Sequence, residues 1–334
     1  MNSALPAGRT VPTLSVVICA YTLDRWDDTR AAIGSVLAQD PPADEVVLVV
    51  DHNQALLERA ERELSGVRVV PNRQRRGLSG GRNTGVAVSR TDVVAFLDDD
   101  ATAEPGWTAR LLAPYGDPRV AGVGGFVRPR WSTGRPVWFP AEFDWVVGCS
   151  YRGLPERAAP VRNFIGANMS FRRTELLAAG GFLDALGRVG TRPAGCEETE
   201  MCIRIAARHP ESVLLYDPAV QVRHRVPEAR THWSYFRSRC YGEGLSKALV
   251  AQHRGRGAAL ASERAYLRSV IPRAVARNLR RTGRPGALRT VGALSAGVCV
   301  TVTGYLVGRV RQWGSRGFSR RPQGAAQLPA EGRS

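Results

Sequence analysis

The sequence predicts an α/β fold with a mostly parallel sheet, helices on both faces, and a basic helical extension at the C-terminus. Short apolar segments alternate with helical segments over the first hundred residues, and short connections join them, which predicts the sheet. The charge distribution predicts the extension, because residues 223–334 contain 22 of the 47 basic residues but only four of the 30 acidic ones. The composition, 43% hydrophobic and 23% charged, excludes a disordered chain, a coiled coil and a collagen-like fibre.

The first hundred residues contain four predicted strands and three predicted helices. The strands are short, mostly apolar segments rich in β-branched residues, as expected for buried strands; they cover residues 14–20, 45–50, 67–71 and 93–97. The helices cover residues 29–38, 54–64 and 79–89. Ligands bind beyond the carboxyl ends of the strands in such sheets, so residues that follow these strands are candidate site residues.

The middle of the chain is less regular. An aromatic- and proline-rich stretch, residues 131–145, predicts a loop or an excursion strand. Farther along, the predicted elements are three short strands and one helix, at residues 168–171, 213–216, 220–224 and 198–207. From residue 231 onward the pattern is helical and basic.

Three consecutive aspartates, Asp98, Asp99 and Asp100, directly follow the fourth strand. Crowded carboxylates repel one another, and a divalent cation with oxygen ligands relieves that repulsion. Such cations commonly bridge protein carboxylates to phosphate oxygens. A solvated acidic turn is the alternative interpretation. Tyr21 and Asp51 also follow strand ends, so we expect them to share one crevice with the aspartates.

Seven segments carry recognisable motifs: LSVVICAYTLDRW (14–26), EVVLVVD (45–51), GLSGGRNTG (77–85), VVAFLDDDA (93–101), GANMSFRR (166–173), GGF (180–182) and EETE (197–200). In this order they resemble the family 2 glycosyltransferases of the GT-A fold. The resemblance covers residues 14–225 and implies a Rossmann-like nucleotide-binding sheet. It also implies a nucleoside-diphosphate sugar as the donor and a divalent metal ion, Mg²⁺ or Mn²⁺, as the cofactor.

The resemblance assigns five residues to the nucleotide sugar. It implies that Tyr21 lies against the base, that Asp51 faces the base or ribose, and that Arg82 contacts the nucleotide. The other two nucleotide-sugar residues that it implies are Asp98, which it places near the ribose, and Asp99. Aromatic faces stack on bases and arginine suits phosphates, which supports these roles independently. The alternatives are a core aromatic for Tyr21 and a surface helix arginine for Arg82.

The implied metal ligands are Asp98, Asp100 and His224, with Asp100 closest to the ion. A lone histidine is more often structural than ligating, and this alternative stays open for His224.

The chain departs from the family beside Asp51. Many relatives have a second aspartate there that contacts uracil, whereas this chain has His52, so the resemblance supports UDP less firmly. Arg237, Arg239 and Tyr241 precede a predicted glycine-containing turn, and they either close over the diphosphate or belong to a basic face.

The acidic cluster that opens the predicted helix at residue 198 holds the candidate general base. An inverting transfer needs a carboxylate that deprotonates the acceptor hydroxyl. The family usually has Glu-Asp at this position and this chain has Glu197-Glu198, which implies Glu198 as the base with Glu197 as the alternative. We expect Glu200 to be solvated or to cap the helix. The whole cluster can also be read as helix N-terminal acids favoured by the helix dipole.

Residues 290–308 form 19 residues without a charge, about the length needed to span a bilayer. A buried or interfacial helix is the alternative. The flanking arginines suit the cytoplasmic side of an anionic leaflet. We therefore divide the chain into a flexible leader, a GT-A glycosyltransferase domain, a basic helical extension, a membrane-associated helix and a disordered tail, at residues 1–13, 14–225, 226–285, 286–312 and 313–334.

The sequence thus predicts an inverting, metal-dependent glycosyltransferase, located in the cytoplasm at the inner face of the cell membrane. Its acceptor would be a cell-wall glycan, a lipid-linked sugar or a small natural product, and its partners would include an anionic membrane surface. The alternatives are a non-catalytic protein that binds a nucleotide sugar or a nucleic acid, and a nucleotidyltransferase. The sequence shows no known nucleic-acid-binding motif, which disfavours nucleic acid as a partner.

Overall fold

The computed structural model describes residues 11–184, 186–187, 195–255, 257, 260–280, 283 and 285–318. Within these residues, nine strands form one mixed sheet: β1 (Leu14–Ala20), β2 (Glu45–Val50), β3 (Arg68–Pro71), β4 (Val93–Asp98), β5 (Ala101–Ala103), β6 (Val120–Trp131), β7 (Ala159–Pro160), β8 (Asn168–Arg172) and β9 (Val213–Val226).

Ten α-helices lie in the described residues: α1 (Trp26–Leu37), α2 (Gln54–Glu63), α3 (Leu78–Val88), α4 (Trp107–Leu112), α5 (Arg173–Ala178), α6 (Glu197–Arg208), α7 (Trp233–Arg254), α8 (Ala261–Ala265), α9 (Ile271–Leu279) and α10 (Ala287–Phe318). Short 3₁₀ and π-helical segments complete the helical structure: Leu23–Arg25, Ala113–Gly116, Ala141–Val147, Glu228–Thr231 and Tyr266–Val270.

The sheet order is β3-β2-β1-β4-β8-β6-β9-β5, and β7 pairs with β9 off this path. Strands β1 to β4 are parallel to one another, whereas β8 is antiparallel to both β4 and β6. Alternate residues of β1 enter two separate apolar layers: Val16 and Ile18 pack with α1, and Val17 packs with Val86 of α3. The predicted α/β class, with helices on both faces, is therefore confirmed.

This topology gathers the ends of four strands. The parallel strands β1, β2 and β4 end at the same edge, with Ala20 beside Val50 and Cys19 beside Asp98. Strand β5 follows β4 after a two-residue turn and pairs with the last part of β9, which sets Ala101 opposite His224. The predicted site residues on these strands therefore converge at one edge of the sheet, although Tyr21 and His224 are 203 residues apart in sequence.

One prediction for the middle of the chain is wrong. The two strands predicted at 213–216 and 220–224 are one strand, β9, whose pairing with β6 skips residues 218–220 at an irregularity. Strand β6 was not predicted, and it ends at Trp131, the first residue of the aromatic- and proline-rich stretch. Its glycines disfavour a strand by propensity, but a Cβ at Gly124 would overlap Phe164 and one at Gly125 would overlap the carbonyl of Val220.

The C-terminal extension is helical, as predicted, but α7 contains no turn after Tyr241. The helix continues through Gly242 and Gly244, which corrects the predicted glycine-containing turn. These glycines serve contact rather than a turn: a Cβ at Gly244 would overlap the carbonyl of Thr301, and one at Gly304 would overlap that of Tyr241. Helices α7 and α10 therefore touch backbone to backbone.

Helix α10 contains the uncharged stretch and extends it. An 18-residue window within its segment Ala287–Trp313 has a mean hydropathy of 1.6, and the segment is long and apolar enough to cross a membrane by length and composition. The helix ends at Phe318, so it enters the predicted tail 313–334. Residues 1–10 and 319–334 lie outside the described residues. The division of the chain into domains remains a prediction.

The contact between α7 and α10 can be tested with two glycines of the same helix. Gly304→Ala is expected to lower the free energy of unfolding by about 1–3 kcal/mol, because the added methyl group meets backbone that cannot move aside. Gly292→Ala, where a Cβ would meet nothing within 4 Å, should leave stability unchanged or raise it by up to ~1 kcal/mol. Urea unfolding of the full chain measures both, and equal stabilities would contradict the packing.

Candidate active site

The acidic triplet begins at the last residue of β4. Asp98 is partly exposed, whereas Asp99 and Asp100 are buried in the turn before β5. Two arginines contact the buried pair. Arg25 Nη1 lies 2.9 Å from Asp99 Oδ1 and 3.1 Å from Asp100 Oδ2, and Arg230 Nη2 lies 3.4 Å from Asp100 Oδ2. The triplet is thus a structured cluster, and the solvated-turn alternative is wrong for its second and third members.

His224 closes this cluster from β9. Its ring is buried, and Nε2 lies 3.0 Å from Asp100 Oδ1 and 4.0 Å from Asp98 Oδ2. One ligand atom from each of Asp98, Asp100 and His224 lies within 4.8 Å of the other two. Two carboxylate oxygens and one imidazole nitrogen suit Mg²⁺ or Mn²⁺, so these three residues fit the implied metal ion.

Charge separates the two buried aspartates. Burial raises the pKa of Asp100, but His224, Arg230 and Arg25 outweigh burial and hold that pKa well below its usual range. For Asp99, burial and the charge of Asp100 outweigh the contact with Arg25, and its pKa is raised. Asp100 is therefore the buried carboxylate that stays ionised at neutral pH and is the better ligand for a cation.

The structure places Tyr21 and Asp51 at neighbouring strand ends. Asp51 is buried and holds the loop before α3, since Oδ1 accepts a hydrogen bond from Asn72 Nδ2 (2.6 Å) and Oδ2 accepts one from the Gly77 amide (3.0 Å). The Tyr21 ring is half-buried, and the Arg25 guanidinium lies 5.4 Å from its centroid. Tyr21 is thus linked through Arg25 to the acidic triplet.

Arg82 is 2% exposed, so the surface-arginine alternative is wrong. Its Nη1 donates to Glu197 Oε1 at 2.9 Å, and its Nη2 lies 3.5 Å from Asp98 Oδ1. The guanidinium also lies over the rings of Phe96 and Phe182, with centroids at 5.8 and 5.5 Å. Arg82 therefore connects the acidic end of β4 to the acidic start of α6.

The start of α6 presents two glutamates with different environments. Glu197 is buried against Arg82, whereas Glu198 is half-buried. Burial, together with the charge of Glu197, raises the pKa of Glu198 to about 8. A carboxylate with such a pKa is a stronger base than an exposed one, and the shift brings it close to physiological pH.

The expectation for Glu200 is wrong. Its side chain is fully buried and neither solvated nor a helix cap. It pairs with Arg204 one turn along α6 and with Arg254 at the end of α7, the latter at 2.6 Å. Two arginines from different helices offset the cost of burying this carboxylate, so Glu200 fastens α6 to the C-terminal extension.

One cavity of about 250 Å³ joins the candidate base to the metal cluster. Among the predicted residues it is lined by Arg82, Asp98, Glu197, Glu198 and His224. Four other predicted residues, which follow the ends of β1, β2 and β4, do not line the cavity: Tyr21, Asp51, Asp99 and Asp100. Of the candidate nucleotide contacts, Arg82 and Asp98 therefore share the cavity with the candidate base, whereas Tyr21, Asp51 and Asp99 lie outside it.

The opposite wall of the cavity comes from the C-terminal extension. Arg239 and Lys247 of α7 line it, together with residues of α8 and α10. Of the three residues considered for closure over the diphosphate, only Arg239 lines the cavity; Arg237 is exposed, and the Tyr241 carbonyl contacts α10. The extension is therefore part of the candidate site.

Sequence reasoning missed two arginines that contact the acidic triplet, Arg25 and Arg230, and two cations of the cavity wall, Arg162 and Lys247. Arginine is so frequent in this chain that none of the three arginines stands out, although Arg25 lies within the first motif segment. A signal did exist for Lys247, because it is the only lysine among the 47 basic residues. It lies in the cavity wall.

Comparisons with known proteins identify the family and the fold. Residues 15–177 match the sequence profile described as glycosyl transferase family 2. The glucosyl-dolichyl phosphate glucuronosyltransferase of Haloferax volcanii is 37% identical over 241 residues, which cover 71% of this chain and 77% of that protein.

Two solved structures share the fold. The mannosyltransferase PcManGT from Pyrobaculum calidifontis, in complex with GDP-Man and Mn²⁺, has a TM-score of 0.56 at 16% identity, covering 91% of this chain and 88% of that chain. GalNAc-T7 with UDP, GalNAc and Mn²⁺ has a TM-score of 0.50 at 18% identity, covering 72% of this chain and 48% of that chain.

Proposed function

Because the chain belongs to glycosyl transferase family 2 and is a glycosyltransferase, we propose that it transfers a sugar, with inversion, from a nucleoside-diphosphate sugar to an acceptor hydroxyl. The observation that carries this proposal is the single cavity that contains both Glu198 and the Asp98–His224 side of the metal cluster. Family membership disagrees with the two alternatives, a non-catalytic binding protein and a nucleotidyltransferase.

The donor half of the site is built around Asp98, Asp100 and His224, which would hold Mg²⁺ or Mn²⁺ in our proposal. When bound, the ion supplies positive charge to the diphosphate and so stabilises the leaving nucleoside diphosphate. Both solved structures contain Mn²⁺ together with UDP or GDP-Man, which supports this choice.

We assign the nucleoside to the side of the cluster that carries Tyr21 and Asp51. The Tyr21 ring would stack on the base. Both oxygens of Asp51 hold the loop before α3, so this residue would shape the base and ribose pocket through that loop. Asp99 would act near the ribose together with Asp98, and Arg82 would stabilise the negative charge of the diphosphate.

The acceptor half depends on Glu198. Its carboxylate accepts the proton of the acceptor hydroxyl while the hydroxyl oxygen forms a bond to the anomeric carbon of the donor. The bond from that carbon to the diphosphate oxygen breaks in the same displacement, which inverts the anomeric configuration. Glu197 is the alternative base, but its Oε1 already accepts a hydrogen bond from Arg82 Nη1, so that oxygen is engaged by the guanidinium.

The acceptor is a lipid-linked sugar in our preferred version, with a cell-wall glycan or a small natural product as the other classes. The name of the Haloferax volcanii relative, a transferase for glucosyl-dolichyl phosphate, supports the lipid-linked class. We further propose that the enzyme works at the inner face of the cell membrane, where α10 and the basic extension would meet anionic lipids.

A donor panel tests the proposed function. We expect one of the UDP-, GDP- and dTDP-sugars to bind and to be hydrolysed slowly in the presence of Mn²⁺ or Mg²⁺, and not with EDTA. The configuration of the product, read from proton coupling constants by NMR, should be opposite to that of the donor. Retention would contradict the inverting mechanism, and absence of binding with every donor and metal would contradict the assigned donor site.

A further inference from the structure

The catalytic cavity extends beyond the catalytic residues to an apolar opening. Leu267, in the π-helical segment, and Val302, in α10, both line the cavity. Both are also exposed at the surface, by 41% and 43%. The cavity therefore reaches the molecular surface beside two apolar side chains. Exposed apolar side chains at a cavity opening suit an apolar ligand or a membrane better than water.

An exposed apolar stripe leads away from this opening along α10. It consists of Val302, Leu306, Val310 and Trp313, which follow one another at intervals of four, four and three residues and therefore lie on one helix face. Their exposure increases along the helix from 43% to 81%. Arginines flank the uncharged stretch on both sides, so the stripe combines an apolar face with positive charge, as lipid-binding helices do.

A group of cations lines the same cavity as Glu198 and the two apolar residues. Lys247 Nζ is 3.0 Å from Glu243 and 2.6 Å from Glu263, and Arg162 also pairs with Glu263 at 2.6 Å. Arg239 completes the group, since both its guanidinium and the carboxylate of Glu243 lie beside Gly195. This part of the cavity wall therefore carries three cations and two carboxylates among the residues described.

Lys247 is the unusual member of this group. The chain uses arginine at every other basic position, yet it has an ammonium group here, in the wall of the catalytic cavity. An ammonium is a compact charge with three donors and can bind an oxyanion while it keeps contacts with carboxylates. The charge excess and the ammonium together suit an oxyanion such as a phosphate.

We propose that this cavity binds a polyprenyl-phosphate-linked acceptor, with the phosphate at Arg162, Arg239 and Lys247 and the hydrocarbon chain leaving between Leu267 and Val302 onto the membrane-facing stripe of α10. This inference rests on the proposed function, because the acceptor hydroxyl must lie at Glu198. The cavity lining offers one group for each part of such a molecule: Glu198 for the reacting sugar, the cations for the phosphate, and Leu267 and Val302 for the lipid.

Binding of farnesyl phosphate to the full chain tests this inference. Farnesol and inorganic phosphate serve as matched ligands that lack the charge or the chain, and tryptophan fluorescence is a direct readout because Trp145 lines the cavity. We expect farnesyl phosphate to bind at least about tenfold more tightly than either, since a contact with a charged group changes affinity by roughly that factor. Equal affinities would overturn the proposal.

Variants separate the two ends of the subsite. Lys247→Ala should weaken farnesyl phosphate about tenfold, and Lys247→Arg should restore most of the affinity because it keeps the charge. Val302→Asp should weaken farnesyl phosphate to a similar extent and reduce flotation with vesicles of phosphatidylglycerol and phosphatidylcholine. Leu177→Asp, a matched change at a residue that is 49% exposed outside the cavity, should change neither.

Metal-dependent donor hydrolysis, measured on the same samples, separates this inference from the proposed function. If hydrolysis persists in the variants while their affinity for farnesyl phosphate falls, the acceptor subsite is supported. If wild-type hydrolysis is present but Lys247→Ala and Val302→Asp bind farnesyl phosphate as wild type does, the subsite is wrong and the glycosyltransferase proposal stands. If wild-type hydrolysis is absent with every donor, the proposed function itself fails.

Discussion

Replacing Glu198 with glutamine is expected to lower kcat by roughly 10²–10⁴-fold while the affinity for the donor stays within a factor of two or so of wild type. The amide keeps the size of the side chain but cannot accept the proton of the acceptor hydroxyl. Glu198 lines the cavity on the acceptor side of the metal cluster, so donor contacts should be unaffected. Steady-state kinetics and calorimetric titration of the donor measure the two quantities separately.

Two further variants decide between the candidate bases. Glu211→Gln, on a side chain that is 70% exposed, is the matched control and should behave as wild type. Glu197→Gln should weaken the donor through the loss of its contact with Arg82, and should lower kcat less than Glu198→Gln. A larger loss of kcat in Glu197→Gln than in Glu198→Gln would show that the base is Glu197.

The pH profile gives an independent reading of the same residue. Only the deprotonated carboxylate acts as a base, and burial raises the pKa of Glu198 to about 8. Turnover should therefore rise with pH, by about tenfold per unit well below pH 8, and become level above it. The rising limb should disappear in Glu198→Gln.

Asp100→Ala is expected to abolish metal-dependent donor binding, with a loss of roughly 10²–10³-fold, because a metal bound to the diphosphate contributes several kcal/mol. Asp100 is the buried, ionised member of the Asp98–Asp100–His224 cluster. Calorimetric titration of the donor with Mn²⁺ present and with EDTA measures the effect. Wild-type affinity in both conditions would contradict the metal site.

Asp100 also pairs with Arg25 and Arg230, so its removal leaves buried charge without its partner and destabilises the fold. Asp100→Asn keeps the volume and hydrogen-bonding capacity and should still lose the metal-dependent affinity. Asp27→Asn changes an exposed carboxylate of α1 and controls for the loss of charge alone. Thermal unfolding of each variant distinguishes loss of the metal site from loss of the fold.

The local sequence pattern was enough to predict most of the strands and helices in the first hundred residues. The predicted bounds of β1 and β2 match the structure, because a continuous run of buried apolar residues can hardly form anything but a central strand. Strand β6 could not be predicted in this way, since its glycines are determined by the partners they face, Phe164 and Val220, which only the folded chain brings close.

The candidate site shows the same division. The resemblance marked the aspartates, Arg82 and the α6 glutamates, but not their pairing: Arg82 and Glu197 are 115 residues apart, and their contact depends on how α3 and α6 pack. Nothing in the sequence distinguished Arg25 and Arg230 from the many other arginines. Glu200 was misjudged because its partner Arg254 lies at the end of α7, 54 residues away.

The backbone contact between α7 and α10 has a practical consequence for anyone who shortens this protein. A hydrophobic C-terminal helix is the segment that is usually removed to make an enzyme easier to handle. Here that helix supplies Val298, Thr301 and Val302 to the cavity wall, and its glycines fix α7, which carries Arg239 and Lys247. Truncation before α10 would expose the cavity to bulk water. Water would then compete with the acceptor for the sugar of the donor.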